Sequence, residues 1–178
     1  MRRIITTAFI LVFALITSIG YAQKDNQVLI GNQVGDDLGD FEGKNQFGDY
    51  IKLSDLKGKL VMVVLWNSLC NHCIVENQKY IETFEEYRNK QFVNGTGFDI
   101  FMIALDKEEA TWHEALEKYQ YPWTNHVYVI DSWKDPDIRF FGVKNLPGNF
   151  LIDGDGVVLE KLFGGSELSG ILESYVKK

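Results

Sequence analysis

Two stretches of the chain are apolar almost without interruption. Leu60-Val61-Met62-Val63-Val64-Leu65-Trp66 lies between Gly58-Lys59 and Asn67, and Phe98 to Leu105 repeats the pattern with Asp99 as its one polar residue. Such runs, bounded by turn residues, predict strands buried on both faces. Between them the period changes. Ile74, Tyr80, Ile81, Phe84 and Tyr87 recur at helical spacing and predict a long helix to about Lys90, closed by a turn at 94–97. Glu108 to Tyr119 reads as a second helix, and Pro122 breaks it. Val127 to Ile130 reads as a short strand or edge segment.

The last third carries its own punctuation. Asp137 to Phe141 predicts a short helix ending at Gly142. Asn149 to Ile152 predicts a strand, Asp153-Gly154-Asp155-Gly156 a hairpin turn, and Val157 to Leu162 the returning strand. Ser166 to Val176 predicts a closing amphipathic helix with Leu168, Ile171, Leu172 and Tyr175 as its buried stripe. Ahead of the first strand, Val28 to Lys57 reads as a small hairpin region, with Leu53 to Gly58 a helical turn ending at glycine. Alternating strands and helices followed by a strand hairpin define an α/β domain: a central mixed sheet with helices on both faces.

The first residues follow a different logic. Arg2 and Arg3 precede an apolar run from Ile4 to Ile19, and Gly20-Tyr21-Ala22 places small residues where a signal peptidase reads them. This is the pattern of a secretory signal peptide. The chain therefore divides into a signal peptide, 1–22, and a domain, 23–178, whose first five residues are a polar leader. An uncleaved membrane anchor is the alternative, although the run is short of the ~20 residues a spanning helix needs. Either way the protein is exported, to the periplasm. Apolar residues make up 46% of the 178, enough for one domain with a real core, and the net charge is −7. Losing Arg2 and Arg3 makes it more acidic still. That balance argues against nucleic acid and anionic membrane as partners.

Only two cysteines are present, Cys70 and Cys73, and they form one C-x-x-C. Exported domains commonly spend cysteines on distant staples. None is left here for that purpose, which favours redox chemistry. The pair falls where a strand gives way to a helix. There the unpaired N–H groups and the helix dipole stabilise a thiolate on Cys70, the form that attacks disulfides. Cys73, one turn further, can then resolve the mixed disulfide. His72 sits between them. A charge or an N–H directed at the Cys70 sulfur would favour the reduced pair and make the disulfide more oxidising.

Trp66-Asn-Ser-Leu-Cys70-Asn-His-Cys73 resembles the W-x-x-x-C-x-x-C segment of the thioredoxin superfamily. Val143-Lys-Asn-Leu146-Pro147-Gly-Asn-Phe150-Leu-Ile-Asp153-Gly-Asp-Gly156 resembles its second signature, a cis-proline before a strand and hairpin. Ile30-Gly31 and Leu53 to Lys59 resemble the N-terminal hairpin extension of the exported TlpA-like, AhpC/TSA-related branch. The resemblance implies a thioredoxin-like fold and a thiol–disulfide oxidoreductase that needs no cofactor. Its partners would be protein disulfide substrates and a redox protein that recycles the pair, and the chain would be a monomer. Relatives of this branch are mostly reductants, several serving cytochrome c maturation. Pro147 would face the cysteines, with Leu146 offering its backbone to an extended substrate beside Trp66 and His72. Glu76 matches a helix glutamate that modulates the thiols. One turn beyond Cys73, it could take that residue's proton.

The sequence also departs from the family. Val64 replaces the buried aspartate of thioredoxin, Gly148 follows Pro147 where threonine is frequent, and Asn71-His72 replaces Gly-Pro. A second reading makes Cys70, Cys73 and His72 or His113 a copper site, since two thiolates suit Cu(I). A peroxidase of the same fold would need a P-x-x-x-T-x-x-C segment. Here Asn67 stands in the threonine position and no proline precedes it. Asp153 to Gly156 opens like a calcium loop but lacks the later ligands.

Overall fold

The computed structural model describes residues 29–130 and 132–178. The signal-peptide and leader readings lie outside these residues. Nine strands and four helices follow in order: β1 (Glu42–Asn45), β2 (Tyr50–Lys52), β3 (Leu60–Trp66), α1 (Asn71–Tyr87), β4 (Gln91–Phe92), β5 (Gly95–Thr96), β6 (Phe98–Ala104), α2 (Glu109–Tyr119), β7 (Asn125–Tyr128), α3 (Pro136–Phe140), β8 (Gly148–Ile152), β9 (Val158–Lys161) and α4 (Leu168–Tyr175). Seven strands form one mixed sheet in the order β2-β1-β7-β6-β3-β8-β9. β3, β6 and β7 are parallel to one another, while β8 pairs antiparallel with β3, and β1 antiparallel with β7. The fold is thioredoxin-like, with the N-terminal hairpin β1–β2 added to the β7 side of the sheet.

Side-chain alternation along the two central strands builds two separate cores. Leu60, Met62, Val64 and Trp66 of β3 join Phe98, Ile100, Met102 and Ala104 of β6 on one face. They are covered there by Cys73, Tyr80 and Phe84 of α1, Trp112 of α2 and Leu168 and Leu172 of α4. Val61, Val63 and Leu65 face the other way, with Phe101 and Ile103, under Leu38, Phe41, Leu53, Ile138 of α3 and Phe141. Helices thus lie on both faces, three on one and the five-residue α3 on the other. That second face is completed by the N-terminal segment.

Several bounds differ from the sequence expectation. The strand placed at 127–130 begins two residues earlier, at Asn125, and Ile130 is exposed. His126 takes a buried strand position that hydropathy assigns to an apolar residue. The predicted turn at 94–97 belongs to a small hairpin, β4–β5, whose strands of two residues are too short to leave a periodic signal. α3 runs one residue earlier than expected because Asp135 caps it, accepting from the N–H groups of Asp137 and Ile138. The buried face of α1 includes Glu76 and Asn77 as well as its aromatics, so its apolar stripe understates its burial.

Candidate active site

Cys70 ends the loop that leaves β3 and caps α1. Its sulfur accepts the N–H of Cys73 at 3.1 Å. The two sulfurs are bonded to each other, with the Cα atoms 5.2 Å apart. Their surroundings are unequal: Cys73 is wholly buried, while Cys70 is half-buried at the edge of the same core. An incoming disulfide can therefore reach only Cys70. Once the bond opens, α1 presents its unpaired N–H groups to that sulfur, and no acidic side chain lies in its first turn. Both features favour the thiolate.

The loop that carries Cys70 is fastened beneath. Asn67 donates to the Leu105 carbonyl at 2.8 Å and accepts from the Leu69 N–H at 2.9 Å. The Ser68 N–H donates to both oxygens of Asp106, at 3.0 and 3.2 Å, and the Ser68 hydroxyl donates to the same carboxylate. Asp106 is buried. Burial pushes its carboxyl above the usual range, against bonds from Ser68 and Thr111 that pull it down. Sequence reasoning missed Ser68 and Asp106. Their one signal is a lone aspartate at the end of an apolar strand.

Across from the cysteines, the Leu146–Pro147 bond is cis. The Leu146 carbonyl oxygen lies 4.0 Å from the Cys70 sulfur. The glycine after Pro147 has a steric reason. A Cβ on Gly148 would meet both Val143 methyl carbons at 2.5 Å, so a larger residue here requires a different residue 143. Leu146, Pro147, His72 and Glu76 line one groove of about 370 Å³, together with Leu162 and Phe163.

Glu76 is 7% exposed on the buried face of α1. Its carboxylate is bound by Lys79 and by the N–H of Gly165 at 2.6 Å. Gly165 has to be glycine for that approach, since a Cβ there would lie 2.9 Å from the Glu76 oxygen and 3.0 Å from the Tyr80 ring. Burial pushes the Glu76 carboxyl up. The bonds from Lys79 and Gly165 and the charges of Lys79 and His72 outweigh it, holding the group below its ordinary value. A carboxylate held as an anion this way is a weak base, a poorer acceptor for the Cys73 proton than its position alone implies. His72 is exposed on α1. Among the described residues, no hydrogen bond joins its ring to either sulfur.

Trp66 lies beneath the site. It is wholly buried at the end of β3 with its ring edge-on to Tyr121, centroids 5.8 Å apart. It offers no surface to a substrate, contrary to the sequence expectation, and supports the Cys70 loop by packing. Val64 likewise belongs to the apolar core, so no carboxylate reaches the pair from β3. His113 pairs with Glu109 on α2. Among the described residues no cluster of three or more His, Cys, Asp or Glu is arranged to hold a metal ion, and no helix is long and apolar enough to cross a membrane.

Comparison with known proteins gives this arrangement its setting. The thioredoxin domain of a thiol-disulfide oxidoreductase from Bacteroides vulgatus superposes with a TM-score of 0.71 at 25% identity, covering 84% of this chain and 99% of that one. The thiol-disulfide oxidoreductase ResA of Bacillus anthracis is 30% identical over 148 residues, 82% of this chain and 78% of its own. ResA of Bacillus subtilis is 26% identical over 98% of this chain and 92% of its own. Fold and cysteine pair together define a thioredoxin-like thiol–disulfide oxidoreductase. The AhpC/TSA family profile matches residues 34–161, and the chain belongs to that family.

Proposed function

We propose that the protein is an exported reductase of protein disulfides, with clients of the kind handled in cytochrome c maturation. The observation that carries the direction is Glu76. An anion fixed one helical turn beyond Cys73 disfavours thiolates, and a couple whose thiolates are disfavoured is a more reducing one. Exposed His72 acts in the opposite sense but has no bond to the sulfur. The signal-peptide pattern of residues 1–22 supports export.

Cys70 thiolate attacks one client sulfur. The client S–S bond breaks, a Cys70–client bond forms, and the departing client sulfur takes a proton. Cys73 then loses its proton and attacks the Cys70 sulfur, displacing the second client thiol. Two electrons and two protons have passed to the client, and the Cys70–Cys73 bond remains. A dithiol on a partner protein restores the pair. Leu146 and Pro147 hold the client backbone beside Cys70.

The test is the reduction potential of the couple, measured in glutathione or dithiothreitol buffers. A value near about −270 mV fits a reductase, and one near about −120 mV overturns the direction. Glu76→Gln checks the cause. Removing the anion is expected to shift the pH profile of exchange toward lower pH and to make the couple more oxidising. An unmoved profile makes Glu76 structural only. Stability supplies a second sign. The folded carboxyl sits below its unfolded value of about 4.3, so its contribution is present above that pH and lost as pH falls through the folded value. The glutamine variant lacks that acid loss.

A further inference from the structure

Leu162 stands in a conformation leucine avoids. Its φ is 55°, in the left-handed region where a Cβ crowds the chain and where glycine or asparagine is the easier choice. The conformation is pinned from both sides. The Leu162 N–H donates to the Asn149 carbonyl at 2.9 Å. The next residue is held twice by the Asn149 side chain, which accepts from the Phe163 N–H at 3.0 Å and donates to its carbonyl at 2.8 Å. Asn149 is itself buried and also reaches the Tyr80 hydroxyl. What this clamp holds out is an apolar side chain that the core does not use: Leu162 is 63% exposed. Phe163, beside it, packs inward.

The direction of that side chain matters. Leu162 lines the groove of His72, Glu76, Leu146 and Pro147, and the carbonyl oxygen of that Leu146 lies 4.0 Å from the Cys70 sulfur. Leu69, the residue before Cys70, is also exposed, at 77%. Both oxygens of the groove's one carboxylate are already engaged, by Lys79 and Gly165. The groove therefore offers a client apolar contact and no unsatisfied negative charge.

We propose that Leu162 is a specificity-determining residue: it receives an apolar side chain next to the reactive cysteine of an extended client segment, and so selects clients whose cysteines have apolar neighbours. The inference rests on the disulfide-exchange reading above and names the substrate class of that site. Backbone strain is tolerated at Leu162 because the leucine serves the encounter with the client rather than the fold.

Two peptides of equal length, each a mixed disulfide with glutathione, differ only in carrying Leu or Ser beside the cysteine. The full chain is reduced with dithiothreitol, freed of it, and its oxidation by each peptide is followed. Wild type is expected to prefer the leucine peptide about tenfold in kcat/KM, ~1.4 kcal/mol, with the difference in KM. Leu162→Asn should bring that ratio near one while its thermal midpoint holds or rises by about 2 °C as strain is relieved. Leu162→Met, apolar at the same place, should keep the ratio. A preference that survives in Leu162→Asn, equal use of both peptides by wild type, or a large fall in the Leu162→Asn midpoint overturns the inference but leaves disulfide exchange standing. Failure of wild type to react with either peptide removes the exchange reading and this inference with it.

Discussion

Cys70→Ser is expected to bring exchange with protein disulfides down to the protein-free rate. The effect follows from position. Cys70 is the one sulfur a client can reach, and Cys73 is wholly buried behind it. A serine hydroxyl at the same place stays protonated at neutral pH, because a helix N-terminus cannot stabilise an alkoxide by the margin required. Cys73 offers no substitute without moving α1. The opposite variant separates the two roles. Cys73→Ser keeps the attacking sulfur and loses the resolving one, so it should accumulate a mixed disulfide visible by mass spectrometry or non-reducing electrophoresis. Exchange retained by Cys70→Ser refutes the mechanism. A trapped adduct on Cys73 in that variant would reverse the assignment of attacking and resolving sulfur.

Stability against acid is expected to hinge on His126. The ring is 3% exposed in the middle of β7, with Tyr121 and Trp123 6.1 and 6.2 Å away. Nε2 donates to the Trp123 carbonyl at 2.9 Å, while among the described residues Nδ1 has no hydrogen-bond partner. Burial pushes its pKa down to about 4, against a smaller upward pull from the Trp123 bond. In the unfolded chain the same group titrates near 6.5. Between those values the unfolded state binds the proton and the folded state does not. Stability is therefore full above about pH 6.5 and falls as pH drops toward about 4, by roughly 3 kcal/mol in all. Urea unfolding across that range should show the loss. His126→Leu should remove the slope, although leaving the Trp123 carbonyl unpaired lowers stability at every pH. A slope unchanged in that variant places the acid sensitivity elsewhere.

The parts legible in the sequence are those where one physical signal acts alone. β3 and β6 announce themselves because burial on both faces leaves no polar alternation to confuse the period. The C-x-x-C at a strand–helix junction, the proline facing it and the hairpin at 153–156 carry their geometry in residue type. Where two demands met, the reading failed. His126 and Asn125 occupy β7 for a buried ring and a cross-strand bond to Asp99, so hydropathy placed the strand two residues late. Glu76 and Asn77 face the core of α1, where a count of apolar residues does not find them. The Ser68–Asp106 link joins positions 38 apart, and no local pattern can reveal it. From the sequence Leu162 reads as the end of a strand, since nothing about a leucine signals positive φ. Trp66 carries the family motif but stands under the site rather than in it.

The added hairpin also changes what the sheet exposes at its margins. Without it, β7 would be an outer strand of a largely apolar parallel array. Pairing Lys44 and Asn45 with Tyr128 and Val127 moves the boundary out to β2, three residues long and tied to β1 by the Lys52–Glu42 ion pair at 2.8 Å. At the far margin β9 spans four residues, and its Lys161 is bonded to Asn32 and Gln33. Short, charged borders give a neighbouring chain little unpaired backbone to zip onto. The protein is thereby kept from drawing other chains, or copies of itself, into a growing ribbon of strands.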